Sequence, residues 1–140
     1  MIRPSLLLIA LALCGGARPP ADRETGAFAL CQGGARTDCV VDGDTFWLRG
    51  EKIRIADIDT PETRKAQCGA ERDMGLRATH RLQRLLNAGA FSLMPADRET
   101  DRYGRSLRVV SRDGRSIGAM LVAEGLARPW SGSRQPWCRS

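Results

Sequence analysis

A short stretch before the middle of the chain alternates between apolar and polar positions. Ile53 and Ile55 alternate with Arg54 and Ala56, the period-two signature of a strand with one buried face. Lys52 to Ile58 is therefore read as a strand, Val40 to Leu48 as the strand before it, and Arg49-Gly50-Glu51 as the hairpin turn between them. Phe28 to Cys31 makes a short first strand, set apart by the Gly-containing stretch Gln32 to Asp38. Asp59-Thr60-Pro61-Glu62 closes the Lys52–Ile58 strand, because proline cannot donate to a ladder. From Glu71 to Asn87 the period changes. Ala78, Leu82, Leu85 and Leu86 fall at i, i+4, i+7 and i+8, one face of an amphipathic helix that Asn87 or Gly89 can stop. Phe91 to Met94 and Leu107 to Ser111 are two further strands. Ser116 caps a short helix to about Glu124, with Ile117, Met120 and Leu121 inward and Gly125 as its stop. Five strands with a helix after the third match a five-stranded Greek-key barrel of the OB type. The expected class is mainly β with two packed helices, α+β.

Length and composition narrow this further. The chain has 140 residues, 42% hydrophobic and 27% charged, values of one globular domain rather than a disordered chain. A lone histidine, His80, excludes mechanisms that need two imidazoles and leaves a zinc site short of its usual ligands. Set among Arg72, Arg77, Arg81 and Arg84, it reads as solvated. The formal charge is +6, but its distribution says more. Residues 42–62 carry three basic and six acidic side chains, whereas residues 98–140 carry nine and four. A basic body suits a polyanion, whose counterions are released on binding. A carboxylate cluster inside that body would repel the polyanion unless a cation sits there.

The two ends of the chain carry separate signals. Arg3, the apolar run Leu6 to Leu13 and the small residues Gly15-Gly16-Ala17 read as an export signal over residues 1–17. Lipidation at Cys14 is the alternative. Eight apolar residues are too few to span a bilayer. Residues 18–26 form a polar lead-in, residues 27–130 the folded domain, and residues 131–140 a tail without periodicity. Beyond the signal stand Cys31, Cys39, Cys68 and Cys138, with no C-x-x-C spacing. An even count in an exported chain suggests two disulfides with three possible connectivities. Cys31–Cys39 and Cys68–Cys138 are the pairs expected, the second pinning the tail; free buried thiols are the alternative.

Three clusters carry possible chemistry: Val41-Asp42-Gly43-Asp44-Thr45, Arg54 with Asp59-Thr60-Pro61-Glu62, and Asp101-Arg102-Tyr103-Gly104-Arg105. Singly, each reads as a turn, a helix entry or a loop between strands. Together they supply what metal-assisted phosphodiester cleavage needs. Hard oxygens gather a hard cation, a further carboxylate orients or deprotonates water, and two guanidiniums clamp the charge of the transition state.

With Leu121-Val-Ala-Glu-Gly-Leu-Ala127, these clusters resemble the staphylococcal (micrococcal) nuclease, or thermonuclease-like, family from about Phe28 to Trp130. The resemblance implies an OB-fold barrel with helices that cleaves DNA and RNA, single- or double-stranded, using calcium and leaving 3′-phosphate ends. It implies Asp44 and Asp59 as calcium carboxylates, Thr60 as a ligand through its carbonyl, and Glu62 as the base for the attacking water. Arg54 and Arg105 correspond to the arginines on the scissile phosphate. Arg102 and Tyr103 correspond to positions on the nucleotide's terminal phosphate, and Trp130 is placed to touch the base. The protein is expected to act as a monomer.

Some positions stay open. Strict alternation puts Arg54 and Asp59 on opposite faces of one strand, so a bend or bulge near Asp57 to Pro61 is required. Asp57 is read as an exposed carboxylate. Asp42 is either a strand or turn residue or a group behind the ligands. Trp130 and Trp137 read equally as core plugs held by Cys138. An OB-fold module that grips single strands without cutting is the main rival, but binding alone does not require Glu62. A protein acting on another anionic polymer has no positive mark.

Overall fold

Three aromatic rings hold the centre of the core: Phe28 lies 5.9 Å from Phe46 and 6.1 Å from Phe91, with Phe46 and Phe91 edge-to-face at 6.3 Å. They come from three separate segments of the chain, and the computed structural model shows how the elements converge on them. It describes residues 15–18 and 20–139; the charged and apolar parts of the expected export signal, and Cys14, lie outside the described residues.

The strands are β1 (Ala29–Leu30), β2 (Cys39–Asp42), β3 (Thr45–Leu48), β4 (Glu51–Ile55), β5 (Ile58–Asp59), β6 (Ser92–Thr100), β7 (Ser106–Arg112), β8 (Arg115–Ser116) and β9 (Arg128–Pro129). The helices are α1 (Gly69–Asn87) and α2 (Ile117–Ala123). One mixed sheet runs β1-β2-β3-β4-β7-β6, with β8 on β7; β5 and β9 form a separate pair. The β1–β2 and β4–β7 pairs are parallel and the others antiparallel. The α+β class is as expected, but β1 and β6 share no ladder, so the sheet is not shown as a closed barrel. No helix among the described residues is long and apolar enough to cross a membrane.

Two strand expectations are corrected. Val40–Leu48 is not one strand but the hairpin β2–β3, turning at Gly43-Asp44 with Asp42 opposite Thr45. Gly43 and Asp44 are the two loop residues, and packing requires the glycine: a Cβ at Gly43 would stand 2.7 Å from Ala78 Cβ and 2.9 Å from Thr60 Cγ2. The turn is thereby pressed onto α1. The strand expected at Phe91–Met94 extends to Thr100, with a register shift between Pro95 and Thr100.

The helix face read from the sequence is the buried one: Ala78, Leu82, Leu85 and Leu86 are all in the core, and His80 is exposed. The end of α1 is fixed by Asn87, whose side chain accepts from Phe28 N at 2.8 Å and donates to Phe28 O at 2.9 Å. The Ser116 hydroxyl accepts from Ala119 N at 3.0 Å, the expected cap of α2. The lead-in is tied down at its far end, where Glu24 bridges to Phe91 and Asp22 accepts from Ser92 Oγ.

Candidate active site

The bend that the alternation argument required is a turn at Ala56-Asp57. It ends β4 at Ile55 and restarts the chain as β5 at Ile58. Arg54 and Asp59 are thereby reunited on one side. The Arg54 guanidinium lies 3.3 Å from Asp44 Oδ2 and 3.7 Å from Asp59 Oδ1. Its Nη1 donates to Ile58 O at 2.9 Å and also to Ile55 O, so the bend itself positions the arginine. Asp57 is not the exposed carboxylate expected. It is partly buried, its Oδ2 accepts from Ser116 Oγ at 2.6 Å, and its carbonyl accepts from Trp130 N at 2.9 Å. Its task is to anchor the turn to the start of α2.

The β2–β3 turn brings Asp44 to the same place. Asp44, Asp59 and Thr60 are 5%, 4% and 1% exposed. Asp44 Oδ2 accepts from Thr60 N at 3.1 Å and Oδ1 from Thr45 Oγ1 at 3.0 Å. Burial pushes the Asp44 carboxyl up, but the Arg54 charge and these hydrogen bonds prevail and hold it below the ordinary aspartate range. Asp59 ends on the other side: burial, with the Asp44 charge added, raises it above that range.

Asp42 stands behind them, accepting from Asp44 N at 3.3 Å. Burial first, and then the charges of Asp44 and Glu62, hold its carboxyl well above the usual range. A carboxyl with a raised folded-state pKa favours folding below its unfolded pKa, and that contribution is lost as pH rises through the folded value. Asp42→Asn is therefore expected to be more stable than the natural chain at about pH 7, by on the order of 1 kcal/mol. The gain should vanish on acidification to the ordinary aspartate range. Urea unfolding at the two pH values, without divalent cations, checks this; an equal or larger gain in acid would sink it.

Glu62 is set by helix packing. A Cβ at Gly75 would stand 2.5 Å from Glu62 O and 2.8 Å from Pro61 O, so only glycine lets this segment lie against α1. Intrinsic propensity favours alanine in a helix by about 1 kcal/mol. Gly75→Ala is nevertheless expected to destabilise by about 1–3 kcal/mol, as overpacking does, and to lower turnover through displacement of Glu62. Unfolding curves and single-turnover rates test both; a stabilised, fully active variant would refute it.

The third cluster is the loop between β6 and β7. Asp101 accepts from Tyr103 N at 2.9 Å, Arg105 N at 3.0 Å and Arg105 Nε at 2.5 Å. Burial raises the Asp101 carboxyl, but these bonds outweigh it and the net shift is downward. Arg102 donates to the Tyr103 hydroxyl at 2.7 Å and stacks on its ring, and Arg105 lies 5.4 Å from the same ring. Tyr103 is 69% exposed and Trp130 41%, so Trp130 is not a core plug; its ring sits 5.8 Å from the Arg54 guanidinium.

One open groove is lined by Asp44, Arg54, Glu62, Tyr103, Arg105 and Trp130. Lys52, Arg64, Lys65 and Arg98 extend its basic rim. Among the described residues no group of three or more His, Cys, Asp or Glu side chains stands ready to hold a metal ion. The donor set here is different: two buried carboxylates and the Thr60 carbonyl, with Asp59 Oδ1 held by ion pairs to Arg134 at 3.2 Å and Arg54 at 3.7 Å but by no aligned hydrogen bond. These are hard oxygens, and they fit calcium, whose remaining positions water commonly fills.

Sequence reasoning missed the roles of four contributors. Asp101 aims Arg105, and Gly75 seats Glu62. From the tail come Arg134, which pairs with Glu62 and Asp59, and Trp137 Nε1, which donates to Asp59 Oδ2 at 3.2 Å. The expected Cys68–Cys138 pair was the available pointer, since it draws the tail to the start of α1. The structure places those sulfurs 2.03 Å apart, with Cα atoms 6.1 Å apart; the Cα atoms of Cys31 and Cys39 are 4.9 Å apart.

A sequence model of the family described as Staphylococcal nuclease homologue matches residues 52–136. Endonuclease YncB of Bacillus subtilis (strain 168) is 39% identical over 97 residues, covering 65% of this chain and 45% of that protein. The SPbeta prophage-derived endonuclease YokF of the same strain is also 39% identical over 97 residues, covering 32% of its own length. Thermonuclease of Staphylococcus hyicus is 33% identical over 93 residues, covering 64% of this chain and 54% of that protein. The chain thus spans between about a third and about half of the length of these relatives.

Proposed function

The chain belongs to the staphylococcal nuclease homologue family, and from that premise we propose that it is an exported, calcium-dependent nuclease. Its substrates are DNA and RNA, cut with little sequence preference to leave 3′-phosphate ends. The observation that carries this reading is the convergence of Asp44, Arg54, Glu62 and Arg105 on one groove with a basic rim. A binder needs the rim; only an enzyme needs the carboxylate and the two guanidiniums beside it.

In the proposed mechanism Asp44, Asp59 and the Thr60 carbonyl would hold a calcium ion, which when bound would neutralise the carboxylates and supply Lewis acidity to the phosphate. Glu62 orients a water and takes its proton as the water attacks phosphorus. Arg54 and Arg105 stabilise the charge that gathers on the phosphoryl oxygens, an effect worth roughly a hundredfold in rate or more for each donor. The bond from phosphorus to the 5′ oxygen breaks, that oxygen leaves as a hydroxyl with a proton from solvent, and the phosphate stays on the 3′ side. Arg102 and Tyr103, in the loop between β6 and β7, meet the terminal phosphate, and the exposed ring of Trp130 offers a stacking face for a base.

The export reading rests on Arg3, Leu6 to Leu13 and Gly15-Gly16-Ala17, with tethering through Cys14 as its variant. In an oxidising compartment the pairs Cys31–Cys39 and Cys68–Cys138 are disulfides, and the protein acts as a monomer.

The test is incubation of the purified protein with single-stranded DNA in Ca²⁺ and then in EGTA. Cleavage only with calcium is expected, with product 3′ ends that a polymerase extends only after phosphatase treatment. Tight binding without cleavage would sink the enzyme reading in favour of the binding module.

A further inference from the structure

The tail after β9 has no helix or strand among its described residues, yet it forms one wall of the site. It is fastened at two points. Cys138 is joined at bonding distance to Cys68, the residue that precedes α1. Trp137 is gripped between its hydrogen bond to Asp59 Oδ2 and the Arg128 guanidinium, which stacks 3.6 Å from its ring centre. Arg128 Nη1 also donates to Pro136 O at 3.0 Å. A segment held at 137 and 138 carries residue 134 over the carboxylates.

Arg134 is placed accordingly. Its Nη2 lies 3.2 Å from Asp59 Oδ1 and 3.4 Å from Thr60 O, and its Nη1 pairs with Glu62 Oε1. The guanidinium thus touches two of the three groups assigned to the cation, together with the carboxylate assigned to the water. Its side chain is half exposed, whereas Asp59 is buried. The arginine can therefore leave for solvent at modest cost, but the aspartate cannot.

We propose that Arg134 is a tethered competitor of the cation, and that it sets the affinity of this site for calcium. A guanidinium and a divalent ion cannot occupy the same oxygens at once. Before the ion arrives Arg134 offsets the repulsion between Asp44, Asp59 and Glu62; the ion must displace it to bind. The Cys68–Cys138 link keeps it nearby at high effective concentration, as a short linker does for any intramolecular ligand. The inference rests on the reading of Asp44, Asp59 and Thr60 as the calcium site.

Calorimetric titration of Ca²⁺ into the full chain tests it without reference to turnover. Arg134→Gln is expected to bind calcium about tenfold more tightly than the natural protein, and Arg134→Lys, which keeps the charge, to stay within about threefold of it. Cys68→Ser with Cys138→Ser should shift the affinity towards that of Arg134→Gln. If that pair fails to fold, as circular dichroism would show, the Arg134 variants still decide. Unchanged or weaker binding by Arg134→Gln, with calcium bound normally by the natural protein and lost in Asp44→Asn, overturns the competitor alone. Absence of calcium binding by both the natural protein and Arg134→Gln overturns the calcium reading and the competitor with it.

Discussion

Arg54→Ala is expected to lower the cleavage rate by at least about a hundredfold and to destabilise the fold at the same time. The two losses have one origin. The Arg54 side chain is nearly buried between Asp44 at 3.3 Å and Asp59 at 3.7 Å, both themselves in the interior. Truncating one member of a buried ion pair leaves charge without a partner, which typically costs about 3–5 kcal/mol. Calcium should restore much of that stability, because it neutralises the same carboxylates, but none of the missing stabilisation of the phosphoryl oxygens. Stability and rate should therefore separate when calcium is added. Arg54→Lys sharpens the test: it keeps a positive charge but lacks the fork that donates to Ile55 O and Ile58 O while facing the carboxylates. It is expected to recover stability far better than rate. Thermal unfolding with and without calcium, set beside single-turnover rates on single-stranded DNA, reads both effects. An Arg54→Ala protein with a rate within threefold of the natural one would remove Arg54 from the mechanism.

The same arginine shows why part of the site was legible in the sequence. Asp44, Arg54, Asp59, Glu62 and Arg105 stand in three short clusters whose residue types make chemical sense only together. What alternation could not reach was the backbone between clusters. Counting by twos from Arg54 sends Asp59 to the wrong face, and the turn at Ala56-Asp57 that corrects it depends on Asp57 reaching Ser116, 59 positions away. Val40–Leu48 misled for a related reason. Its run of β-formers outweighed the Gly43-Asp44 turn signal, although Gly43 is needed because Ala78 and Thr60 leave no room for a side chain.

The contributors that escaped entirely have no local signature. Gly75 looks like a weak point in a helix until the Pro61 and Glu62 carbonyls are seen against it. Arg134 lies in an aperiodic tail, where neither a strand nor a helix rule assigns it a direction. Its place follows from the cysteine pair and from Trp137, and those are long-range contacts. The charge count pointed the same way in outline: an acidic segment inside a basic body must be met by something positive. Arg54 and Arg134 are, among the described residues, the two cationic side chains that meet Asp59.

Glu62→Gln is the sharper test of the chemistry, because it changes the charge of one group and almost nothing else. Glutamine keeps the length of the side chain and an oxygen that can accept from Arg134, so the segment seated against Gly75 has no reason to move. The cost is confined to the proton: an amide cannot take it from water. General-base catalysis is worth typically 10²–10⁴-fold, so cleavage should fall by about that much while calcium affinity changes little. Affinity for single-stranded DNA in calcium is expected to stay within about twofold or to rise, since removing a negative charge from the groove favours a polyanion. That split distinguishes an enzyme from a binding module. In a module Glu62 would be an electrostatic burden alone, and its replacement would improve binding with no activity to lose. It also distinguishes Glu62 from Arg54, whose removal should weaken both stability and the rate. Rates should be measured under single-turnover conditions, so that product release does not mask the chemical step. A Glu62→Gln protein that cuts at the natural rate would refute the base assignment even if calcium dependence held.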